Sequence, residues 1–456
     1  MIGSPSLRGA ADHGAVRRAN LSAVLQTLRH GPRTRASLAR ETALTKGTIS
    51  SLVSELSARG LVRGHEPARL GGVGRPGQHV ELVGERVAAL GIELNVDYLV
   101  AAVVSLTGEQ RAVRRQAYDV RASVEETVEQ AAALLAETAA EARSGTDGLL
   151  AGVGVAAPGL VDLATGVVRF APNLGWRDVP LRELVHQRLR DLASCWQVIG
   201  AAAPDLAVYV DNEANLATLA EYATIPSHDD RDLVYVTGGV GVGAGLVVDG
   251  RVVRGSAGFA GEVGHLAIAS DGERCGCGRR GCWETLCGLS ALLRLAADPP
   301  DLIHDHDRDL DERLAILVDR ARAGDRRTRQ AFAAVGRWLG HGASMLVNLV
   351  NPRVLVFGGY FARVADQLRP HVEAELAERV VAPDLGGCRV EFSRLGLAAA
   401  ATGAAYAALQ PVVDDPALVP YTDRDVSAAA GSAGTSGGQV RTPAEGRSDE
   451  RLHTHP

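Results

Sequence analysis

The sequence predicts a small winged helix-turn-helix domain over residues 1–85 and an α/β body in two lobes over 86–410. Three observations carry this expectation. The first 85 residues hold three short amphipathic helical patterns and a glycine-rich hairpin. Downstream, two β-rich runs end in similar turns, Thr107-Gly108 and Asp249-Gly250, 142 residues apart. Basic charge is concentrated at one end: residues 1–85 have a net charge of +6 within a chain of net charge −6, so the remainder carries −12. A basic module on an acidic body is suited to meet a polyanion through its first part alone.

In chain order, Ala15–Leu28 places Leu21, Val24, Leu25 and Leu28 at the i, i+3, i+4, i+7 spacing of an amphipathic helix. Gly31-Pro32 ends it. Arg35–Thr42 reads as a second helix with Leu38 and Ala39 inward. Leu44-Thr45 makes a tight connection to a third, Lys46–Arg59, with Ile49, Leu52, Val53 and Leu56 on one face. Gly60 stands where a left-handed cap is expected. Leu61-Val62 and Val80–Val83 can pair as strands around the loop Arg69–Gln78. In this plan the later helix of the pair enters the major groove with its N-terminal residues at base edges. That presents Lys46, Thr48, Ser50 and Ser51 to DNA. Arg35 and Ser37 suit phosphate contacts, and Arg75, within Gly74-Arg75-Pro76, suits a narrow minor groove.

The body alternates strands and helices. Ala88–Leu106 and Leu233–Val248 each read as a strand pair followed by a basic returning strand, a weak internal duplication. Helices such as Val124–Ala142 and Asp311–Ala323 intervene, as in α/β lobes. Residues 411–456 are rich in Ser, Thr, Gly, Pro and charge, the composition of a disordered tail.

Composition is 46% hydrophobic and only 4% aromatic, which suits a globular interior packed with Ala, Val and Leu. The apolar run Leu397–Leu409 is interrupted by Thr402 and Gly403 and is too weak to insert in a membrane unaided. The N-terminus lacks the apolar stretch of a secretory signal. A cytoplasmic protein with no membrane partner is therefore expected. Six cysteines make no disulfide framework, and three of them, Cys275, Cys277 and Cys282, fall within eight positions. With His265 they form a three-thiolate, one-imidazole set that matches the tetrahedral preference of Zn²⁺. Four protein ligands leave no open position, so the ion would be structural. Cys195, Cys287 and Cys388 read as core thiols.

Gly261-Glu262-Val263-Gly264-His265, the cysteine loop and Glu284 resemble the signature of the ROK family (repressors, open reading frames and sugar kinases). Asp211-Asn212-Glu213-Ala214-Asn215, Ala171–Trp176 and Val356-Phe357-Gly358-Gly359 fall in that family's order. The resemblance covers about residues 15–410 and, with the winged helix, is similar to the xylose-repressor-like branch. It implies an actin-like two-lobed fold with a sugar cleft, lined by Asn173, Asn212, Glu213, Glu262, His265 and Glu284. Carboxylates and amides there can meet vicinal hydroxyls in paired hydrogen bonds.

Three departures from the family's kinases bear on catalysis. Kinases carry Asp-x-Gly-Gly-Thr after the first strand, where bare backbone approaches ATP phosphates; here the run is Glu93-Leu94-Asn95-Val96-Asp97. The second phosphate turn, Thr237–Gly243, has Val240 where kinases have Thr. Glu213 stands at the position of the catalytic Asp, and one extra methylene displaces a base by about 1 Å. The expectation is a non-enzymatic, sugar-responsive regulator, most simply a repressor of carbohydrate-utilisation genes. It would bind operator DNA and a monosaccharide effector as a homodimer or higher homo-oligomer. The alternatives are an ATP-dependent sugar kinase, and a constitutive DNA-binding protein with an empty cleft.

Overall fold

A computed structural model describes residues 13–65, 79–118, 123–142, 148–189, 197–198, 206–225, 232–305, 308–381 and 388–422. The N-terminal part comprises α1 (His13–Arg29), β1 (Arg33–Thr34), α2 (Arg35–Glu41), α3 (Lys46–Ala58), β2 (Val62–His65) and β3 (His79–Leu82). β3 lies between β1 and β2, antiparallel to both. Thr34 and Thr45 cap α2 and α3, each accepting the N–H of the residue three positions on, which satisfies a donor that the helix leaves unpaired. The expected apolar faces of the three helices form one core, and Gly60 takes a positive φ of 68°. The whole expected wing loop Arg69–Gln78, with Arg75, lies outside the described residues, as does Cys195.

The first lobe starts with an antiparallel meander of β4 (Val87–Leu94), β5 (Tyr98–Ser105) and β6 (Gln110–Ala117). α4 (Val124–Glu141) then leads to β7 (Leu149–Ala157), parallel to β4. A small sheet of β8 (Leu160–Asp162), β9 (Val167–Ala171) and β10 (Trp176–Val179) follows, then α5 (Leu181–Arg188) and β11 (Gln197–Val198). β12 (Val208–Asn212) pairs parallel with β7 and runs directly into α6 (Glu213–Thr224).

The second lobe repeats the plan. β13 (Leu233–Gly238), β14 (Val242–Val248) and β15 (Arg251–Val252) form the meander. After α7 (Trp283–Cys287), α8 (Leu289–Ala296), α9 (Leu310–Arg322) and α10 (Arg326–Val350) comes β16 (Val354–Gly359), parallel to β13. α11 (Tyr360–Arg363), α12 (Ala365–Arg379), β17 (Arg389–Phe392) and α13 (Ala399–Asp414) complete the order. The sheets therefore read β6-β5-β4-β7-β12 and β15-β14-β13-β16-β17, one topology used twice. The duplicated turns sensed in the sequence are the β5–β6 and β14–β15 connections. β4 and β5 are buried along their whole lengths, because helices cover both faces of the sheet.

α13 returns to the first lobe and packs on β4, β7 and α6. The approach is backbone to backbone: a side chain at Gly91 or Gly154 would come within 1.9 Å of the Ala401 or Ala404 carbonyl oxygen. By length and composition Gly396–Asp414 is apolar enough to cross a membrane, but 67% of it is buried inside this protein. The disordered tail expected from residue 411 is corrected for its first part. α13 continues to Asp414, a 3₁₀ turn spans Pro416–Leu418, and the chain is described to Thr422. Val412, Val413 and Val419 are fully buried, so the apolar residues at the start of 411–456 are inserted beside α1, although the stretch averaged as a whole reads as polar. Residues 423–456 lie outside the described residues.

Candidate functional site

A cavity of about 560 Å³ lies between the lobes and is lined by all six residues expected of a sugar site: Asn173, Asn212, Glu213, Glu262, His265 and Glu284. They arrive from separate elements. Asn173 comes from the β9–β10 connection, Asn212 and Glu213 from the β12–α6 junction, Glu262 and His265 from a 3₁₀ turn after β15, and Glu284 from the first turn of α7. The β13–β14 turn forms the floor between them. A side chain at Gly241 would stand 2.5 Å from Glu284 Oε2 and 3.2 Å from Asn173 Nδ2, so bare backbone is required there.

Asn212 is the N-cap of α6: its Oδ1 accepts the N–H groups of Ala214 (2.9 Å) and Asn215 (3.1 Å). Its Nδ2 donates to Gly159 O (3.1 Å) and Glu213 Oε2 (2.6 Å). Asn212 therefore aims Glu213 into the cavity. Burial first, then the carboxylates of Glu262, Glu93 and Asp211, hold the Glu213 carboxyl well above its ordinary range. This favours a protonated side chain, which can donate to a sugar oxygen. His265 Nε2 lies 3.9 Å from Glu262 Oε2, and its Nδ1 lies 3.5 Å from Glu284 Oε1.

The other half of the cavity is obstructed. Asn95 Nδ2 donates to Glu93 Oε1 (3.0 Å) and sits 3.0 Å from the Tyr98 hydroxyl, while Asn95 Oδ1 accepts the Val96 N–H at 2.8 Å. Val96 and Tyr98 are buried. Side chains thus fill the turn whose bare amides a phosphate would need. Burial raises the Glu93 carboxyl to about 7, against the opposing hydrogen bonds from Asn95 and Tyr98.

The ligand atoms of His265, Cys275, Cys277 and Cys282 all lie within 4.8 Å of one another. Cys277 Sγ and Cys282 Sγ are 3.7 Å apart, and Cys275 Sγ is 3.5 Å from His265 Nδ1. A tetrahedron with Zn–S near 2.3 Å and Zn–N near 2.0–2.1 Å has edges of about 3.8 and about 3.5 Å, so the residues fit structural zinc. As a protonated thiol, Cys275 donates to Glu284 Oε1 at 2.8 Å; zinc would take up the thiolate in place of that proton, so the metal group and the sugar wall adjoin at this point. The loop is anchored by Trp283, whose ring nitrogen donates to Trp338 O on α10 at 2.8 Å. Cys287 is buried as expected, and Cys388 is partly buried against the core.

On the N-terminal module, Arg35, Lys46, Ser50 and Ser51 are exposed, while Ser37 and Thr48 are half-buried. The Ser37 hydroxyl meets Thr34 Oγ1 at 3.1 Å, and the Thr48 hydroxyl meets Thr45 Oγ1 at 2.9 Å. Ser50 donates to Lys46 O, and Ser51 lies beside Arg17 of α1. Among the described residues, Arg35 and Lys46 are therefore the freely presented cations of the expected contacts.

Sequence reasoning missed three participants. Tyr98 joins Asn95 in filling the phosphate turn, Arg279 of the cysteine loop lines the cavity, and Arg254 pairs with buried Asp211 at 2.7 Å. The Asp211 carboxyl is raised by burial in spite of Arg254. The only available signal was that Arg279 falls inside the cysteine motif.

Residues 89–411 match the ROK family. The xylose repressor of Caldicellulosiruptor bescii is 28% identical over 390 residues, 84% of this chain and 94% of that protein. Among solved structures, a ROK family transcriptional regulator described as a homologue of the E. coli MLC protein aligns with a TM-score of 0.64 at 24% identity, covering 89% of this chain and 98% of that one. A ROK family glucokinase from Streptomyces griseus, in complex with glucose and AMPPNP, aligns at 0.58 and 28% identity, covering 71% and 99%. The regulator extends over the winged helix as well as the two-lobed actin-like body, whereas the glucokinase aligns over a smaller share of the chain. With the motifs, the doubled sheet and the cysteine loop all in that order, the chain belongs to the ROK family.

Proposed function

We propose that this chain is a sugar-responsive transcriptional repressor that binds operator DNA through α3 and a neutral monosaccharide in the cleft between its lobes. The carrying observation is the state of the cleft. Its sugar half is furnished with Asn173, Glu213, Glu262, His265 and Glu284, while its phosphate turn is filled by Asn95, Val96 and Tyr98. Sugar binding needs only the first set. Phosphoryl transfer needs both, since positioning and charge stabilisation of the transferred group supply nearly all of its catalysis.

Glu262 and Glu284 accept hydroxyls, Glu213 donates or accepts according to its protonation, and Asn173 can do both. Zinc, held by His265, Cys275, Cys277 and Cys282, would supply structural rigidity. His265 and the loop after it then keep Glu262 and Glu284 in place. A sugar that prefers one lobe arrangement shifts the chain toward it and thereby changes DNA affinity. Similarity to a xylose repressor makes xylose the first effector to test, and carbohydrate-utilisation genes the first targets. Pairing of two modules on two half-sites calls for a homodimer or higher homo-oligomer.

The test is operator binding with and without xylose, glucose and other hexoses, beside a coupled ATPase assay on the same panel. A sugar-dependent change in DNA affinity with no turnover is expected. A sugar-dependent rate near the ~10 s⁻¹ typical of enzymes would overturn the proposal in favour of a kinase.

A further inference from the structure

α13 and the segment after it make a continuous physical path between the cleft and the DNA-facing helix. At one end, Gly396, Leu397, Ala399 and Ala400 line the cavity. In the middle, α13 is pressed against β4 and β7. Further along, Tyr406 lies under the Arg29 guanidinium of α1, 5.6 Å from the ring centre, and donates to Gly108 O at 3.2 Å. Beyond Asp414 the chain crosses the C-terminal end of α3. There Arg59, the C-cap of α3, is 8% exposed.

The Arg59 guanidinium donates to Ala417 O (3.0 Å), Val419 O (2.5 Å) and the Tyr421 hydroxyl (3.2 Å), and stacks 4.3 Å from the Tyr421 ring centre. Glu55, one turn earlier on α3, holds it at 3.0 Å. In return Thr422 N–H donates to Ala58 O at 2.9 Å, and Arg86 donates to Pro420 O at 2.9 Å. A planar fork of five donors can serve two carbonyls, a hydroxyl and a carboxylate together; a lysine ammonium cannot span that set.

We propose that Arg59 is the positioning residue through which the state of the cleft reaches α3, by way of α13 and the strap 415–422. This rests on the reading of the chain as a sugar-responsive DNA-binding protein. The lever is long: the thirteen residues of α3 place Lys46 about 20 Å from Arg59, so a 5° tilt at the Arg59 end moves the base-reading end by about 1.7 Å. That displacement is enough to break the geometry of direct contacts to base edges.

The experiment compares full-length wild type, Arg59→Ala and Arg59→Lys for operator affinity with and without a sugar panel, for sugar affinity by calorimetry, and for hydrogen exchange. Sugar affinity should stay within about twofold of wild type. The ratio of operator affinities without and with sugar, about fivefold or more for ordinary allosteric coupling, should fall toward one in Arg59→Ala and lie between in Arg59→Lys. Exchange should rise together in the last turn of α3 and in 415–422, with β4 and β7 unchanged. An Arg59→Ala protein that keeps the wild-type ratio overturns the proposal. If wild type responds to no sugar, the sugar-responsive reading fails on its own. The exchange data then decide the strap: unchanged protection in both segments of Arg59→Ala refutes it.

Discussion

Replacing Glu93 by Gln should stabilise the protein in a pH-dependent way. Glu93 is 5% exposed beneath Asn95 and Tyr98, and burial lifts its carboxyl from 4.5 to about 7. The unfolded chain releases this proton near 4.5, while the folded protein keeps it to about 7. Across that window the folded state binds more protons, so stability falls as pH rises and then levels off. A shift of about 2.5 units at 1.36 kcal/mol per unit makes the full loss about 3 kcal/mol. Glutamine does not ionise, keeps an acceptor for Asn95 and Tyr98, and escapes the loss. Relative to wild type, Glu93→Gln should therefore gain about 1 kcal/mol at pH 5.5 and about 3 kcal/mol at pH 8. Denaturant unfolding of both proteins at matched zinc over pH 5.5–8 measures the difference. A constant offset across that range would refute the reasoning, because it would mean that Glu93 ionises alike in the folded and unfolded chains.

Three other outcomes are expected. Metal analysis should find about one zinc per chain, and Cys277→Ser should lose it together with several degrees of thermal stability and much of the sugar affinity, since four ligands saturate the ion. Arg35→Ala should weaken binding to all DNA sequences and lower the salt slope by about one, whereas Thr48→Ala should relax sequence preference; a chain lacking residues 1–85 should not bind operator. Glu262→Gln should leave sugar-free DNA binding within about twofold of wild type and remove most of the sugar's effect, with calorimetry showing the lost sugar affinity.

Surface charges elsewhere should matter less. Pairs such as Arg114 with Glu137 and Glu141, or Arg327 with Asp298, are largely exposed. They gain little over hydrated ions and are screened by salt. Arg59 differs because its partners are backbone carbonyls in a buried setting, where loss of the donor leaves acceptors without water to replace it.

The sequence by itself determined whatever rests on short-range pattern. α1, α2 and α3 were legible because apolar spacing of 3.6 residues and the Gly31-Pro32 stop are local properties. The metal group was legible because three of its ligands crowd one loop. The repeated meander was legible from its two turns, and Glu93–Asp97 and Glu213 stood out against a family pattern.

Only the tertiary structure decided what depends on distant segments meeting. Asn212 lines the cavity as expected of it, and the fold adds that its amide caps α6 and holds Glu213, because β12 ends where α6 begins and Gly159 lies beside them. Asn95 fills the phosphate turn because β4 and β5 bring Glu93 and Tyr98 to the same side of it. Residues 411–422 are ordered although the stretch 411–456 as a whole has the composition of a polar tail, since Val412, Val413 and Val419 are buried and the segment is held by Arg59 and Ala58, about 360 positions away. Composition reports the average hydrophobicity of a window, but order follows from the few apolar groups that a remote surface removes from water.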